Sequence, residues 1–250
     1  NALTKGRAPN HMLYPAMPYP DYKGMTDEDI SALFAYFQTV PAIDEPPAYK
    51  TDLPFPFNIR ALMLGWNLIN TPDWKAREGL DETQKYGQYL VDNLAHCGTC
   101  HTPRNATMGY DMKNYLSGAM LGSWHAPNIT PDDASGIGSW SQEEIVTYLR
   151  NGGVHQKALA AGPMSEVVMN STRYLNDKDL NAIASYLKAV PVVTTADTVQ
   201  PVNVAALPKK HSDDIAINLL DQMDVLKEAK ANASSPSESL YLAECASCHG

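Results

Sequence analysis

All four cysteines of this 250-residue chain fall in two copies of one pattern, Cys97-Gly98-Thr99-Cys100-His101 and Cys245-Ala246-Ser247-Cys248-His249. Such a chain has to fold so that two sulfurs and one imidazole share a short turn, and it has to do so twice. Two residues between thiols favour metal, redox or haem chemistry over plain disulfides. A redox C-x-x-C sits beside a βαβ pattern, which the sequence does not show. A zinc site with four thiolates would pair Cys97 and Cys100 with Cys245 and Cys248, across a gap far longer than the usual 15–20 or so residues. The histidine after each second cysteine points to covalent haem c, with two thioether anchors and a proximal imidazole on one turn. Zinc remains the alternative.

Composition narrows the setting. A net charge of −9 argues against a nucleic-acid partner, since a phosphate-binding surface needs clustered Lys and Arg. No run of 18 or more apolar residues suggests a membrane span. The first residues lack the order of a signal peptide, and read like the middle of something longer.

A second repeat organises the chain. Met25–Pro41 aligns without gaps onto Leu175–Pro191, 150 residues later, sharing both aspartates, an Ala, the Tyr, the Val and the Pro. Each copy predicts an N-terminal capping box, Thr26 with Asp29 and Asn176 with Asp179. Apolar residues at helical spacing follow, and a proline stops each helix. Further helices are expected near 81–97 and 141–151, with 102–139 read as loop from its Gly and Pro content. The expected architecture is an all-α tandem array cut at both ends. Residues 1–45 would close one unit, 80–195 form a complete one, and 231–250 open a third. Segments 46–79 and 196–230 would be extended connectors, the first rich in proline.

A haem iron held by His101 needs a partner on its other face. Downstream candidates are His125, His155, Met108, Met112, Met120, Met164 and Met169. Most methionines are flexible core filler. Met164 is singled out because Gly162-Pro163 fixes the loop before the closing helix. Met17, in Tyr14-Pro-Ala-Met-Pro-Tyr19, holds the matching place in the first unit, with Met12 as its rival.

These features resemble the triple-haem cytochrome c subunits of bacterial membrane-bound dehydrogenases, partners of quinoprotein alcohol or aldehyde dehydrogenases and of flavin-dependent gluconate, sorbitol or fructose dehydrogenases. The resemblance is carried by Tyr14-Pro-Ala-Met-Pro-Tyr19, Phe55-Pro-Phe-Asn-Ile-Arg60, His96-Cys-Gly-Thr-Cys-His-Thr-Pro-Arg104, Trp124-His-Ala-Pro-Asn-Ile-Thr130, Gly136-Ile-Gly-Ser-Trp140 and Gly162-Pro-Met164. It implies tandem class I cytochrome c domains. Cys97 and Cys100 would anchor a second haem with His101 and Met164 as axial ligands. Met17 would be the sixth ligand of a first haem, and Cys245, Cys248 and His249 would attach a third. Pro127 is expected to offer its carbonyl to His101 within the Ala126-Pro127-Asn128 loop. Arg104 and Trp140 are candidates for haem propionates, or for ordinary surface and packing roles. The first C-x-x-C-H and the body of the third domain are missing from the sequence.

The resemblance also implies a function. The chain would be no enzyme itself but an electron-transfer subunit, carrying electrons through serial haems from a large quinoprotein or flavoprotein dehydrogenase subunit to membrane ubiquinone. It would work at the membrane surface on the periplasmic side of the bacterial cytoplasmic membrane. His/Met ligation, which leaves no open iron face and raises the potential, suits that role. The alternative is a multihaem enzyme, such as a cytochrome c peroxidase, with one open haem. The apolar run Phe55–Ile69 is expected to pack across neighbouring haem domains, or else to dock a partner or a membrane.

Overall fold

The computed structural model describes residues 1–42, 53–122 and 124–196. Cys245, Cys248, His249, the segment 197–250 and the start of the first expected connector, 46–52, lie outside the described residues. In chain order the helices are α1 (Ala2–Lys5), α2 (Tyr19–Tyr22), α3 (Asp27–Thr39), α4 (Leu62–Asn70), α5 (Glu82–Tyr89), α6 (Gly98–His101), α7 (Gln142–Asn151), α8 (Pro163–Asn170) and α9 (Asp177–Ala189). A π-helical turn, Leu90–Leu94, extends α5.

Helix starts follow side-chain chemistry. Asp81 with Gln84 and Ser141 with Glu144 form reciprocal capping boxes at α5 and α7, satisfying backbone N–H groups that lack helical partners. At α3 and α9 only half of each expected box forms. Thr26 accepts from the Asp29 N–H and Asn176 from the Asp179 N–H. Both aspartate carboxylates are taken by tyrosines of α5: Tyr86 donates to Asp179 at 2.9 Å and Tyr89 donates to Asp29.

The main core joins α5, α7 and α9, with Leu90, Val91, Leu116, Ile145, Leu149, Leu180, Ile183 and Leu187 buried together. Gly87 sets the distance between α5 and α9. A Cβ there would stand 2.0 Å from the Ala182 carbonyl oxygen, so only glycine permits this backbone approach. Under this core Asp92 collects four donors: Tyr115, Tyr186 at 3.3 Å, Gln88 at 2.9 Å and Trp74 at 3.0 Å. Arg77 donates to the Tyr186 hydroxyl at 3.0 Å.

Residues 1–42 and 53–79 are joined to each other by polar ties. Buried Tyr19 donates to Asn67 at 2.6 Å, and Lys23 pairs with Asp73 at 2.9 Å. The structure departs from the expectations in four places. Residues 119–126 form a hairpin, β1 (Ala119–Leu121) with β2 (Trp124–Ala126), and β3 (Gly153–Val154) pairs with β4 (Ala158–Leu159), so the chain is helical with short strands rather than all-α. The long helix expected over 81–97 changes to a π turn at Leu90. Met164 sits in the first turn of a helix, not in a loop, because Pro163 is favoured at a first helical position. Part of the first connector is helical, and among the described residues its Phe55, Phe57, Leu62, Leu64, Leu68 and Ile69 are exposed.

Candidate functional site

The first motif folds as a single turn. Cys97 caps α6, and the His101 N–H donates to the Cys97 carbonyl at 3.0 Å. Residues three and four apart share one helix face, so this turn sets Cys97, Cys100 and His101 side by side. It is tied from both ends. The Cys97 N–H donates to the Val91 carbonyl at 2.9 Å on the π turn, and the Gly118 N–H donates to the His101 carbonyl at 2.8 Å.

The imidazole is oriented by the hairpin. His101 Nδ1 lies 2.7 Å from the Pro127 carbonyl oxygen. A carbonyl can only accept, so Nδ1 carries the proton and Nε2 keeps its lone pair for a metal. Pro127 in turn is held by Asn128, which is buried with every polar atom of its side chain engaged. Its amide nitrogen donates to Ser135 at 3.0 Å and to the Val193 carbonyl at 2.6 Å, while its oxygen accepts from Thr130. Asn128 thus builds the loop that presents the Pro127 carbonyl.

The same hairpin reaches the segment just before Met164. Trp124 lies against Gly162, whose φ of 51° and lack of a side chain are both required. A Cβ there would fall 2.6 Å from the indole, and a positive φ favours glycine. Met164 follows two residues later and packs, half-buried, on the core that also receives Cys97, Tyr115, Ile129, Ile137 and Trp140. The hairpin and the proline that follows it therefore meet His101 at one end and the Gly-Pro-Met segment at the other.

The electrostatics disfavour thiolate chemistry. Burial, reinforced by Asp92, pushes the Cys97 thiol up to about 12, and burial raises Cys100 as well. A redox pair has a depressed thiol instead. Burial also lowers His101, against the opposing pull of the Pro127 carbonyl, which favours the neutral, ligating imidazole. Protonated thiols, a neutral oriented imidazole and a half-buried thioether on an apolar floor make a donor set that fits haem c.

Arg104 stacks on the Tyr110 ring at 4.3 Å and donates to the Thr99 carbonyl at 3.0 Å, clamping the turn. Trp140 lies edge-on to Tyr148 at 5.7 Å, with Lys157 over its ring. Met17 is partly exposed, in a turn closed by Tyr14 and Tyr19. Met108, Met112, Met120 and Met169 are exposed. Asp21, unmarked by any motif, accepts from Tyr110 at 2.6 Å and from Thr99 at 3.2 Å inside the motif. Burial raises its carboxyl, with Tyr110 opposing. It stands four residues after Met17, but nothing in the sequence ties it to Thr99. Trp124 was legible only as part of a longer motif.

Residues 84–191 match the cytochrome c family model. The chain is 42% identical to the fructose dehydrogenase cytochrome subunit of Gluconobacter japonicus, over 99% of this chain and 51% of that protein. It is 35% identical to the gluconate 2-dehydrogenase cytochrome c subunit of Pantoea cypripedii, over 99% of this chain and 55% of that protein. A diheme cytochrome c-type protein of Cereibacter sphaeroides is 38% identical over 77% of this chain and 64% of its own length. The chain spans about half the length of the first two relatives.

Proposed function

We propose, from the premise that residues 84–191 form a cytochrome c domain, that this chain is part of an electron-transfer subunit serving a dehydrogenase. Haem c, the cofactor of such a domain, supplies a one-electron iron centre. In this reading Cys97 and Cys100 would fix it through thioether bonds, and His101 and Met164 would be its iron ligands. The observation that carries the reading is the hairpin, which pins His101 through Pro127 and meets Gly162 through Trp124. Two protein ligands on the iron would suit electron passage better than substrate turnover. Arg104 and Trp140 are proposed to receive propionates.

The wider assignment follows the repeat. Residues 1–45 are proposed to close a first haem domain, ligated through Met17. Residues 80–195 form the second domain, and 231–250 open a third at Cys245, Cys248 and His249, with connectors at 46–79 and 196–230. Relatives are named as subunits of fructose and gluconate dehydrogenases, which supports a large flavoprotein or quinoprotein dehydrogenase as electron donor. Ubiquinone is proposed as acceptor, at the membrane surface on the periplasmic side.

Replacing Met164 with Ala tests the central assignment. Haem should stay covalently attached, while its potential falls by about 100 mV or more, as expected when a thioether that raises the potential is lost. The reduced protein should also begin to bind carbon monoxide. A variant that titrates like the parent and ignores carbon monoxide would remove Met164 from the iron.

A further inference from the structure

Asp92 carries a charge immediately behind the first motif. Tyr115 and Tyr186 donate to one of its carboxylate oxygens, and Gln88 and Trp74 donate to the other at 2.9 and 3.0 Å. All four of these groups are donors, as an ionised carboxylate requires. The neighbouring Val91 carbonyl accepts the Cys97 N–H at 2.9 Å. The Tyr115 ring lies against Gly98 inside the motif, 3.3 Å from where a Cβ would stand. The charge is felt at the anchor itself, since Asp92 adds to burial in raising the Cys97 thiol.

A charge of opposite sign comes from outside the cytochrome c domain. Arg77 precedes the matched residues 84–191 and belongs to the segment expected as a connector. Buried Gln88 holds that segment in place. The Arg77 N–H donates to the Gln88 side-chain oxygen at 2.8 Å, and the Gln88 amide donates to the Lys75 carbonyl at 3.2 Å. The Arg77 guanidinium then lies over the Tyr115 ring at 4.9 Å and donates to the Tyr186 hydroxyl at 3.0 Å. Each of these two tyrosines therefore touches both the cation and the anion.

A ferric haem holds one more positive charge than a ferrous one. A nearby anion therefore favours the ferric state and lowers the potential, while a cation raises it. Asp92 and Arg77 are both half-buried, where solvent screens a charge less than it does at the surface. We propose that Asp92 and Arg77 are opposed tuning residues for the haem of the first motif. Asp92 holds its potential down, and Arg77, carried by the preceding segment, holds it up. The segment that leads into the domain thereby helps to set the driving force for electrons to enter it. A network that served packing alone would give the two charges no opposite signs of effect.

This rests on the reading of Cys97, Cys100 and His101 as a haem site, and redox titration of the full-length, haem-loaded subunit tests it. Asp92→Asn preserves the network, since an amide can donate to the two tyrosine hydroxyls and accept from Gln88 and Trp74. It should raise one midpoint potential, and Arg77→Gln should lower the same one. Each shift should be on the order of tenfold in the ferrous-to-ferric ratio at fixed potential, about 59 mV for one electron. The double variant should return close to the parent. Midpoints that stay in place would overturn the proposal. So would midpoints that move in the same direction in both variants, because loosening the network admits water in either case. If Asp92→Asn fails to load haem, Arg77→Gln carries the test alone, and a rise or no change there would overturn the proposal. A parent subunit without reducible haem bands would sink the electron-carrier reading and this inference with it, whereas a failure in the variants alone leaves that reading standing.

Discussion

Tyr186 of α9 is fully buried, while Tyr36, at the matching place in α3, is 63% exposed. Leu187 and Phe37 repeat the contrast at 5% and 59%. The two helices have the same length, both start with a side-chain N-cap, and both end before a proline. Each also offers its third-position aspartate to a tyrosine of α5. What differs is the partner along the helix. Helix α9 meets α5 at a glycine that lets the two backbones approach, whereas among the described residues α3 buries none of its side chains. The difference teaches that an apolar stripe and a cap specify a helix, but burial comes from a neighbour that the stripe alone cannot name.

The sharpest way to break this comparison is to truncate both stripes in the 250-residue chain. Leu187→Ala removes a buried side chain and should cost about 3 kcal/mol, as large-to-small core changes do. Phe37→Ala should stay within about 0.5 kcal/mol, as expected for an exposed position. Denaturant unfolding followed by circular dichroism measures both. An equal cost at the two sites would show that α3 is covered as thoroughly as α9.

Legibility in the sequence follows the same division. The haem turn could be read because its chemistry is local: Cys97, Cys100 and His101 have to share one turn whatever surrounds them. The repeat exposed α3 and α9, since caps and 3.6-residue periodicity are also local. The Gly-Pro context of Met164 is legible as well, though proline begins a helix there instead of stiffening a loop. The apolar content of α4 was visible, but its orientation depends on Tyr19 and Thr107, which are distant in sequence. Asp92 and Asp21 escaped notice for that reason as well, since their donors converge on them from many separate stretches of the chain.

A second test uses pH. Burial, with Asp92 adding to it, raises the Tyr186 phenol above its ordinary value near 10. A group whose folded pKa is raised stabilises the fold fully below its unfolded pKa, and the contribution is lost as pH rises through the folded one. Stability should therefore fall above about pH 10. Tyr186→Phe should flatten that fall while costing about 2 kcal/mol at neutral pH, because Arg77 and Asp92 each lose a partner. Identical alkaline limbs for the parent and Tyr186→Phe would show that this hydroxyl does not govern the transition.

The smallest effect concerns the feature that the two helices share. Tyr86 and Tyr89 sit one turn apart on α5 and donate to Asp179 and Asp29, so α5 bridges matching aspartates of the two repeats. Each bond is partly exposed, and removing either hydroxyl should cost about 1 kcal/mol. The consequences should nevertheless diverge. Tyr86→Phe acts inside the α5–α9 core, where other contacts remain to hold the pair. Tyr89→Phe takes away a tie to a helix with no buried side chains, along with the 3.2 Å bond from the Thr26 N–H. Amide exchange should then rise mainly in the first turns of α3 for Tyr89→Phe, and only weakly in α9 for Tyr86→Phe, since local opening tracks the number of contacts that remain. If α3 is instead as protected as α9 in the Tyr89→Phe protein, a partner other than α5 fixes it, and the contrast between the two helices is one of exposure without any loss of local stability.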